Sequence, residues 1–431
     1  QANGRDRKET AMEIEKITAR YEIVTPSFIA GMSSDEQDVT VRLASLRGLL
    51  RFWWRAVAFS RVGYNLETLR TKETALFGSS RGGTGSIQFL PPTILPSPSS
   101  RFTETARKLR LDQCSGLSYL GYGLQADDKG RQEQSELAKD TGKKSGIDPK
   151  RVVIPPKVEF ELHMMLRRRL TDDTLDQKAS LRDALIAMGL AGGLGARSRR
   201  GWGSLNLKSL TWGGEALWKP PAEASDLRSK WKQLLAGIST LPDSDDYLPF
   251  TAFDHRTEVH VLKVHSDALE VLNQGGKDFS NFRLAGRNGA SSGTKHRFAA
   301  DSQMMGNALN RKAPAKAPQR SIFGLPHNYF FGKTKPKASV TVDTGRRASP
   351  LFFHVQRLGT QYALVAVVFP VKFIWDSTSG PRQLQVTVDN QLCSKVPATI
   401  EDDYSVIREF FKAAVNDCEG NSDSATGRMW P

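Results

Sequence analysis

The order of patterns along residues 15–210, strand, helix, strand, strand, helix, strand, predicts an α+β protein with the ferredoxin-like topology also found in RNA-recognition domains. Apolar residues alternate at Ile17, Ala19, Tyr21 and Ile23, and again at Val158, Phe160, Leu162 and Met164, which is the period of half-buried strands. Residues 45–57 and 178–191 repeat their apolar positions at helical spacing. The second half holds further strands and a helix, enough for a second, more diverged unit of the same kind. At 431 residues the chain is too long for one ordinary core, so two ferredoxin-like domains with insertions, or three domains, are expected. The boundaries fall at 1–215 and 216–431, with an insertion at about 100–150.

The first strand, EKITARYEIV (15–24), runs into a turn at TPSFIAG and a polar loop to residue 40. The helix that follows, SLRGLLRFWWRAV from Ser45 to Val57, puts Leu46, Leu49, Leu50, Trp53 and Val57 on one broad side. Arg47, Arg51, Trp54 and Arg55 fall together on another, and Ser45 is placed to cap the first turn. One face docks on a sheet. The other offers spaced cations around an aromatic ring, which suits a phosphodiester backbone with a stacked base. The competing reading is a core Trp54 beside a solvated arginine stripe.

LFGSSRGGTGSIQFL (76–90) is a glycine-rich turn feeding a strand at 86–90, which Pro91, Pro92, Pro96 and Pro98 end. The later part of the insertion, QADDKGRQEQSELAKDTGKKSG, is polar enough for a disordered or flexible arm. A strand at 157–166 and a helix at 178–191, with Leu181, Leu185, Met188 and Leu190 inward, lead to the loop GGLGARSRRGWGSL and a strand at 202–210.

That loop, Gly192 to Leu205, is the most informative stretch. Glycines at 192, 193, 195, 201 and 203 let the backbone approach a partner closely, and exposed N–H groups suit an anion. Arg197, Arg199 and Arg200 add planar forks that match phosphate oxygens in pairs. A polyphosphate or nucleic-acid backbone is the natural ligand. The loop follows a helix and precedes a strand, the reverse of dinucleotide and P-loop sites, and it lacks the Gly-Lys-Ser/Thr ending. No nucleotide cofactor is therefore expected.

After the linker TWGGEALWKPPAEAS, strands are expected at 257–265, 350–357, 361–371 and 383–389, and a helix at 404–415. Between the first two lies a long basic stretch with Arg283, Arg287, Lys295, Arg297, Arg311, Lys312 and KTKPK, and Arg346 and Arg347 open the strand at 350. No RNP1-like aromatic motif sits on a middle strand, so binding of RNA on the sheet face is not indicated.

Lysine plus arginine exceed aspartate plus glutamate by 61 − 46 = 15, which argues for polyanionic partners. Cys114, Cys393 and Cys418 lie far apart with no CxxC pair, which fits a reducing, cytoplasmic setting and neither a disulfide framework nor a zinc site. The longest strongly apolar run, Tyr362 to Val371, is half a bilayer span and reads as a buried strand, so no membrane partner is expected. QANGRDRKETAMEIEK carries no visible secretory signal.

Histidines 163, 255, 260, 265, 296, 327 and 354 show no paired arrangement for general base catalysis. The five-residue spacing of His255, His260 and His265 fits neither one helical face nor one strand face, so no metal is assigned. Asp35, Glu36 and Asp38, and the pair Asp172 and Asp173, read as solvated turns.

The helix SLRGLLRFWWR, the following LFGSS and the loop GGLGARSRRGWGSL resemble the RAMP superfamily of CRISPR proteins, whose members carry a glycine-rich loop between the second helix and fourth strand of a ferredoxin-like domain. RFWWRA with LFGS, and RRASPLFFHV in the second half, look more specifically like the first-subunit family of the Cmr complex, the type III-B effector. The matching motifs cover about a third of the chain. The resemblance implies two ferredoxin-like domains, a place near the crRNA 3′ end, contact with crRNA, target RNA and other RAMP subunits, and target capture without catalysis. It implies RNA contacts at Arg47, Arg51 and Arg55 and at Arg197, Arg199 and Arg200. To these the residue pattern adds Trp54, Gly192, Gly193, Gly195, Arg346 and Arg347. The insertion at 100–150 and the basic stretch before 346 match no motif of that family. Two other readings stay open: a metal-independent endoribonuclease using His296 or His327, and a scaffold whose basic patches meet acidic proteins.

Overall fold

The computed structural model describes residues 13–29, 41–95, 115–124, 152–168, 174–238, 247–284, 298–331, 337–342, 345–373, 375–376, 380–381, 383–397, 404–416 and 427–428. The first half contributes β1 (Glu13–Ile23), β2 (Ser27–Ile29), α1 (Leu43–Arg61), α2 (Leu66–Phe77), β3 (Ile87–Phe89), β4 (Thr93–Ile94) and α3 (Ser115–Leu120). It continues with β5 (Val152–Ile154), β6 (Glu159–Arg168), α4 (Thr174–Ala191), β7 (Leu205–Trp212) and β8 (Glu215–Ala216). The second half begins with α5 (Ala224–Leu235), β9 (Glu258–His265), α6 (Ala268–Leu284), α7 (Ala299–Leu309), β10 (His327–Phe330) and β11 (Lys337–Thr341). Then follow β12 (Leu351–Leu358), β13 (Gln361–Val368), the pair β14 (Trp375–Asp376) and β15 (Gly380–Pro381), β16 (Gln383–Val388), β17 (Gln391–Pro397), α8 (Ser405–Asn416) and β18 (Gly427–Arg428). The protein is α+β.

β1 pairs antiparallel with β6 on one side and β7 on the other, giving the order β3–β6–β1–β7–β8. The alternation in the sequence sets this register: Ile17, Ala19 and Tyr21 stand opposite Met164, Leu162 and Phe160, and all six are buried on one face. That face is covered by α1 and α4, and the Tyr21 hydroxyl donates to the Leu185 carbonyl of α4 at 2.8 Å.

The second main sheet has the order β12–β13–β9–β18, and β10–β11–β16–β17 form a separate one. Successive side chains of a strand point to opposite faces. On β13, Ala363, Val365 and Val367 therefore join the core shared with α1 and the first sheet, while Leu364, Ala366 and Val368 join a second core with α6 and α8. Burial on both faces is the reason this strand reads as one apolar run. The Trp53 ring of α1 lies 6.0 Å from Phe253, 6.3 Å from Phe352 and 6.2 Å from Phe369, so α1 is packed between the two sheets.

Several expectations are corrected. Ser45 lies inside α1, whose N-cap is Arg42 without a side-chain cap bond. The strand expected at 383–389 forms, but in the separate sheet rather than beside β13. Two helices, α6 and α7, form between β9 and β10, and α6 was hidden by its Gly275–Gly276 pair, which is unfavourable in a helix interior. Close packing requires those glycines, since a Cβ on Gly276 would come within 2.4 Å of the Gly116 carbonyl on α3. Within the insertion, Leu117, Leu120 and Leu124 are buried against this helix region, while the polar stretch after residue 124 lies outside the described residues. No helix of the described residues is long and apolar enough to cross a membrane.

Candidate nucleic-acid interface

The glycine loop leaves α4 and returns into β7. Its backbone is stitched to itself and to β2: Leu194 N–H donates to the Gly203 carbonyl at 2.8 Å, Ala196 to Phe28 at 2.8 Å and Gly203 to Pro26 at 2.9 Å. Gly195 (φ +90°) and Gly203 (φ +64°) sit in the left-handed region, where a Cβ would meet the Phe28 carbonyl at 2.5 Å and the Leu194 carbonyl at 2.0 Å. Gly192 and Gly193 are buried, and the Gly192 carbonyl is 3.1 Å from His354 Nδ1. The Gly192 N–H donates to the Met188 carbonyl at 3.1 Å, so its expected role as an anion-facing donor is corrected. The glycines allow the loop to fold tightly, and that folding displays its arginines.

The three arginines have different surroundings. Arg197, at φ +61°, is exposed. Arg199 stands over the rings of Phe352 (4.7 Å) and Phe52 (5.6 Å), and its carbonyl accepts from Phe353 N–H at 3.0 Å. Burial, then the neighbouring Arg347, pulls its guanidinium down to about 10. Arg200 lies over Phe279 at 5.0 Å and donates to the Phe323 carbonyl at 2.9 Å, while its Nη1 is buried without a hydrogen-bond partner. Burial and then Arg283 pull it down to about 9. A loop from the first half is thus bedded on aromatic rings of the second.

A profile of the RAMP superfamily matches residues 20–206, which run from β1 through the glycine loop to the start of β7. Residues 20–206 belong to the RAMP superfamily. The CRISPR system Cmr subunit Cmr1-2 of Pyrococcus furiosus is 38% identical over 60 residues, covering 14% of this chain and 31% of that relative. The match therefore spans less than a third of that relative's length. The chain is also similar to the crystal structure of Cmr1 from Pyrococcus furiosus in its apo form, at 18% identity and TM-score 0.49, over 97% of this chain and 99% of that one. A chain in the cryo-EM structure of the Type III-B Cmr-beta bound to cognate target RNA is similar at 13% identity and TM-score 0.47, over 94% and 99%.

In the RAMP unit, helix α1 departs from its sequence reading. Trp54 is 1% exposed and its Nε1 donates to the Ser180 hydroxyl of α4 at 3.1 Å. It cannot serve as a surface platform for a base, because α1 is buried on two sides. Arg51 (2.8 Å) and Arg55 (3.7 Å) share the carboxylate of Glu73 on α2, and Arg47 is exposed with Nη2 on the Phe77 carbonyl. These arginines tie α1 to α2. Arg346 is exposed, and Arg347 Nη2 donates to the Lys372 carbonyl at 3.1 Å.

Beside Arg200 the arginines continue in a row that sequence reading missed as a cluster. Arg283 stands over Phe279 (5.4 Å) and Phe323 (5.2 Å) with Nη2 3.1 Å from His327 Nδ1, and Arg320 stands over Tyr329 (4.7 Å) and pairs with Asp301 (3.6 Å). Burial, then Arg283 and Arg320, hold His327 well below its ordinary value. The only advance signal was charge, since the rings that support these cations come from distant segments. Three other described histidines have structural partners: His163 with Thr18 and Thr93, His260 stacked on Phe411 and His265 accepting from Asp267 N–H. His296 and the acidic pairs and triplets at 35–38 and 172–173 lie outside the described residues. Among the described residues no group of His, Cys, Asp and Glu could hold a metal ion.

Proposed function

We propose that this chain is a non-catalytic, RNA-holding subunit of a type III-B CRISPR (Cmr) ribonucleoprotein, seated near the crRNA 3′ end, where it helps capture target RNA in the cytoplasm alongside other RAMP subunits. The observation that carries the reading is Arg199: its guanidinium rests on two rings beside Arg347 and forms no ion pair among the described residues. A cation held without a counter-charge favours an incoming anion, and phosphate contacts of this kind position an RNA backbone. The RAMP profile and the similarity to a Cmr subunit support the assembly.

We read the halves, 1–215 and 216–431, as two ferredoxin-like domains. In each, a strand–helix–strand–strand–helix–strand run places the strands in the spatial order second, third, first, fourth: β3–β6–β1–β7 and β12–β13–β9–β18. RNA carrying 4-thiouridine in the reconstituted assembly tests the function. Crosslinks to residues 192–204 are expected; crosslinks confined to other subunits would contradict it.

One observation favours an endoribonuclease as the second reading: His327 is kept neutral between arginines, as a general base requires. Cleavage by the chain in EDTA, lost in His327→Ala, would establish that reading, and absence of cleavage would remove it. The scaffold reading predicts instead that Arg197→Ala with Arg200→Ala leaves RNA binding unchanged and weakens subunit association.

A further inference from the structure

We propose that the row formed by Arg200, Arg283 and Arg320 with His327 is a second anion site, which takes a compact phosphate dianion, free or as the monoester end of a small molecule. The inference goes beyond the RNA-holding reading and does not depend on it. The row and Arg199 lie on opposite faces of the second sheet. Phe352 and Phe353 are successive residues of β12 and join the first and the second core respectively. Arg199 stands over Phe352, whereas Arg200 stands over Phe279, which meets Phe353 edge-on at 5.2 Å. Arg200 is thereby directed to α6 and the short 3₁₀ helix Gln319–Phe323, where Arg283 shares the Phe279 ring and Arg320 stands over Phe298 at 5.4 Å. The His327 ring lies 4.7 Å from that of Tyr329, which also supports Arg320.

Charge selects the occupant. His327 is held neutral, so the cations to be matched are the three guanidinium groups, and among the described residues they pair with one carboxylate, Asp301. The difference, 3 − 1 = 2, is two positive charges, and the exposed Arg197 adds to the field at Arg200. Asp301 is already engaged, since its two oxygens accept from the Gln319 and Arg320 N–H groups at 2.9 Å each. Hydrogen bonding is incomplete as well. Arg200 Nη1, Arg283 Nε and Arg320 Nε are buried with no hydrogen-bond partner among the described residues. Buried donors of this kind call for an acceptor, and guanidinium forks held on rings suit phosphate oxygens. A phosphate dianion matches both charges, whereas a carboxylate or a backbone phosphodiester brings one and leaves the other uncompensated. Pro326 and Asn328, on either side of His327, are exposed, which sets the row next to solvent.

The test titrates the full chain with inorganic phosphate at constant ionic strength and pH ~7.5, above the second phosphate pKa of about 6. The imidazole NMR signal of His327, assigned by its loss in His327→Gln, and the melting temperature are followed together. Both should move saturably, with the midpoint raised roughly 10-fold or more in Arg283→Gln, as for the loss of one charge-assisted hydrogen bond. Arg199→Gln should leave that midpoint unchanged, because Arg199 lies on the other face of the sheet. Uridine 5′-monophosphate acting at lower concentration than phosphate, with uridine inert, would assign the dianion to the end of a larger molecule. Phosphate acting and the nucleotide failing would assign it to the free ion. No saturable response to either, or the same midpoint in Arg283→Gln, would overturn the proposal and leave the rings as the sole support of these cations. Acetate acting as strongly as phosphate on the wild type would also overturn it, and that comparison decides the matter should Arg283→Gln fail to fold.

Discussion

The Arg199 guanidinium lies 4.7 Å from the centre of the Phe352 ring, so a cation of the glycine loop is held in position by a strand from the other half of the chain. The Phe353 N–H to Arg199 carbonyl bond fixes the backbone at the same place. The RAMP loop and the second sheet therefore form one surface, and changes in either should be felt by a ligand of the loop.

Gly203→Ala tests how the loop is held. Its φ of +64° and a Cβ only 2.0 Å from the Leu194 carbonyl make any side chain there strained. RNA affinity should fall although every arginine remains, with a stability loss of about 1–3 kcal/mol in a denaturant titration. Unchanged affinity would mean that loop geometry does not present the cations.

Trp54→Ala should cost about 3–5 kcal/mol in the same titration, as expected for emptying a buried tryptophan site. Trp54→Phe should cost much less, because it chiefly gives up the bond to Ser180. A variant that folds as well as wild type but binds RNA poorly would restore Trp54 as a ligand contact.

Arg51→Ala should act on stability before RNA. It leaves the nearly buried Glu73 carboxylate with the more distant Arg55, a loss of about 1–3 kcal/mol. A drop in RNA affinity without any change in melting temperature would show instead that Arg51 turns to the RNA.

The sequence made β1, β6, β9, β12, β13 and β16 readable because each alternates or is apolar throughout, whereas no strand was expected at β10, β11, β17 or β18. It did not reveal α6, whose paired glycines look like a turn until Gly116 is found packed against them. Trp54 misled for a different reason: a helix packed between two sheets is buried on more than one face, and α1 still carries arginines on its remaining edge. The arginines of the loop were legible as cations. Their aromatic supports were not, since Phe52, Phe352, Phe279 and Phe323 reach them only through tertiary contacts.

Stability should fall on acidification. Burial pushes the His354 imidazole down to about 4, below its ordinary 6.5, so the unfolded chain binds more protons between those values. The contribution is fully present above pH 6.5 and is lost as pH falls towards 4, at most about 3 kcal/mol. His327 is shifted in the same direction. Thermal melts from pH 7 to 4 should show a shallower decline for His354→Gln than for wild type; parallel curves would contradict a neutral, buried imidazole.

The most direct measurement is single-stranded RNA binding across a salt series for wild type and Arg199→Gln/Arg347→Gln, in the assembled complex. The account predicts weaker binding and a log–log salt slope shallower by about 0.7 for each phosphate contact removed. Equal affinity and equal slope in the two proteins would contradict the claim that these cations hold RNA.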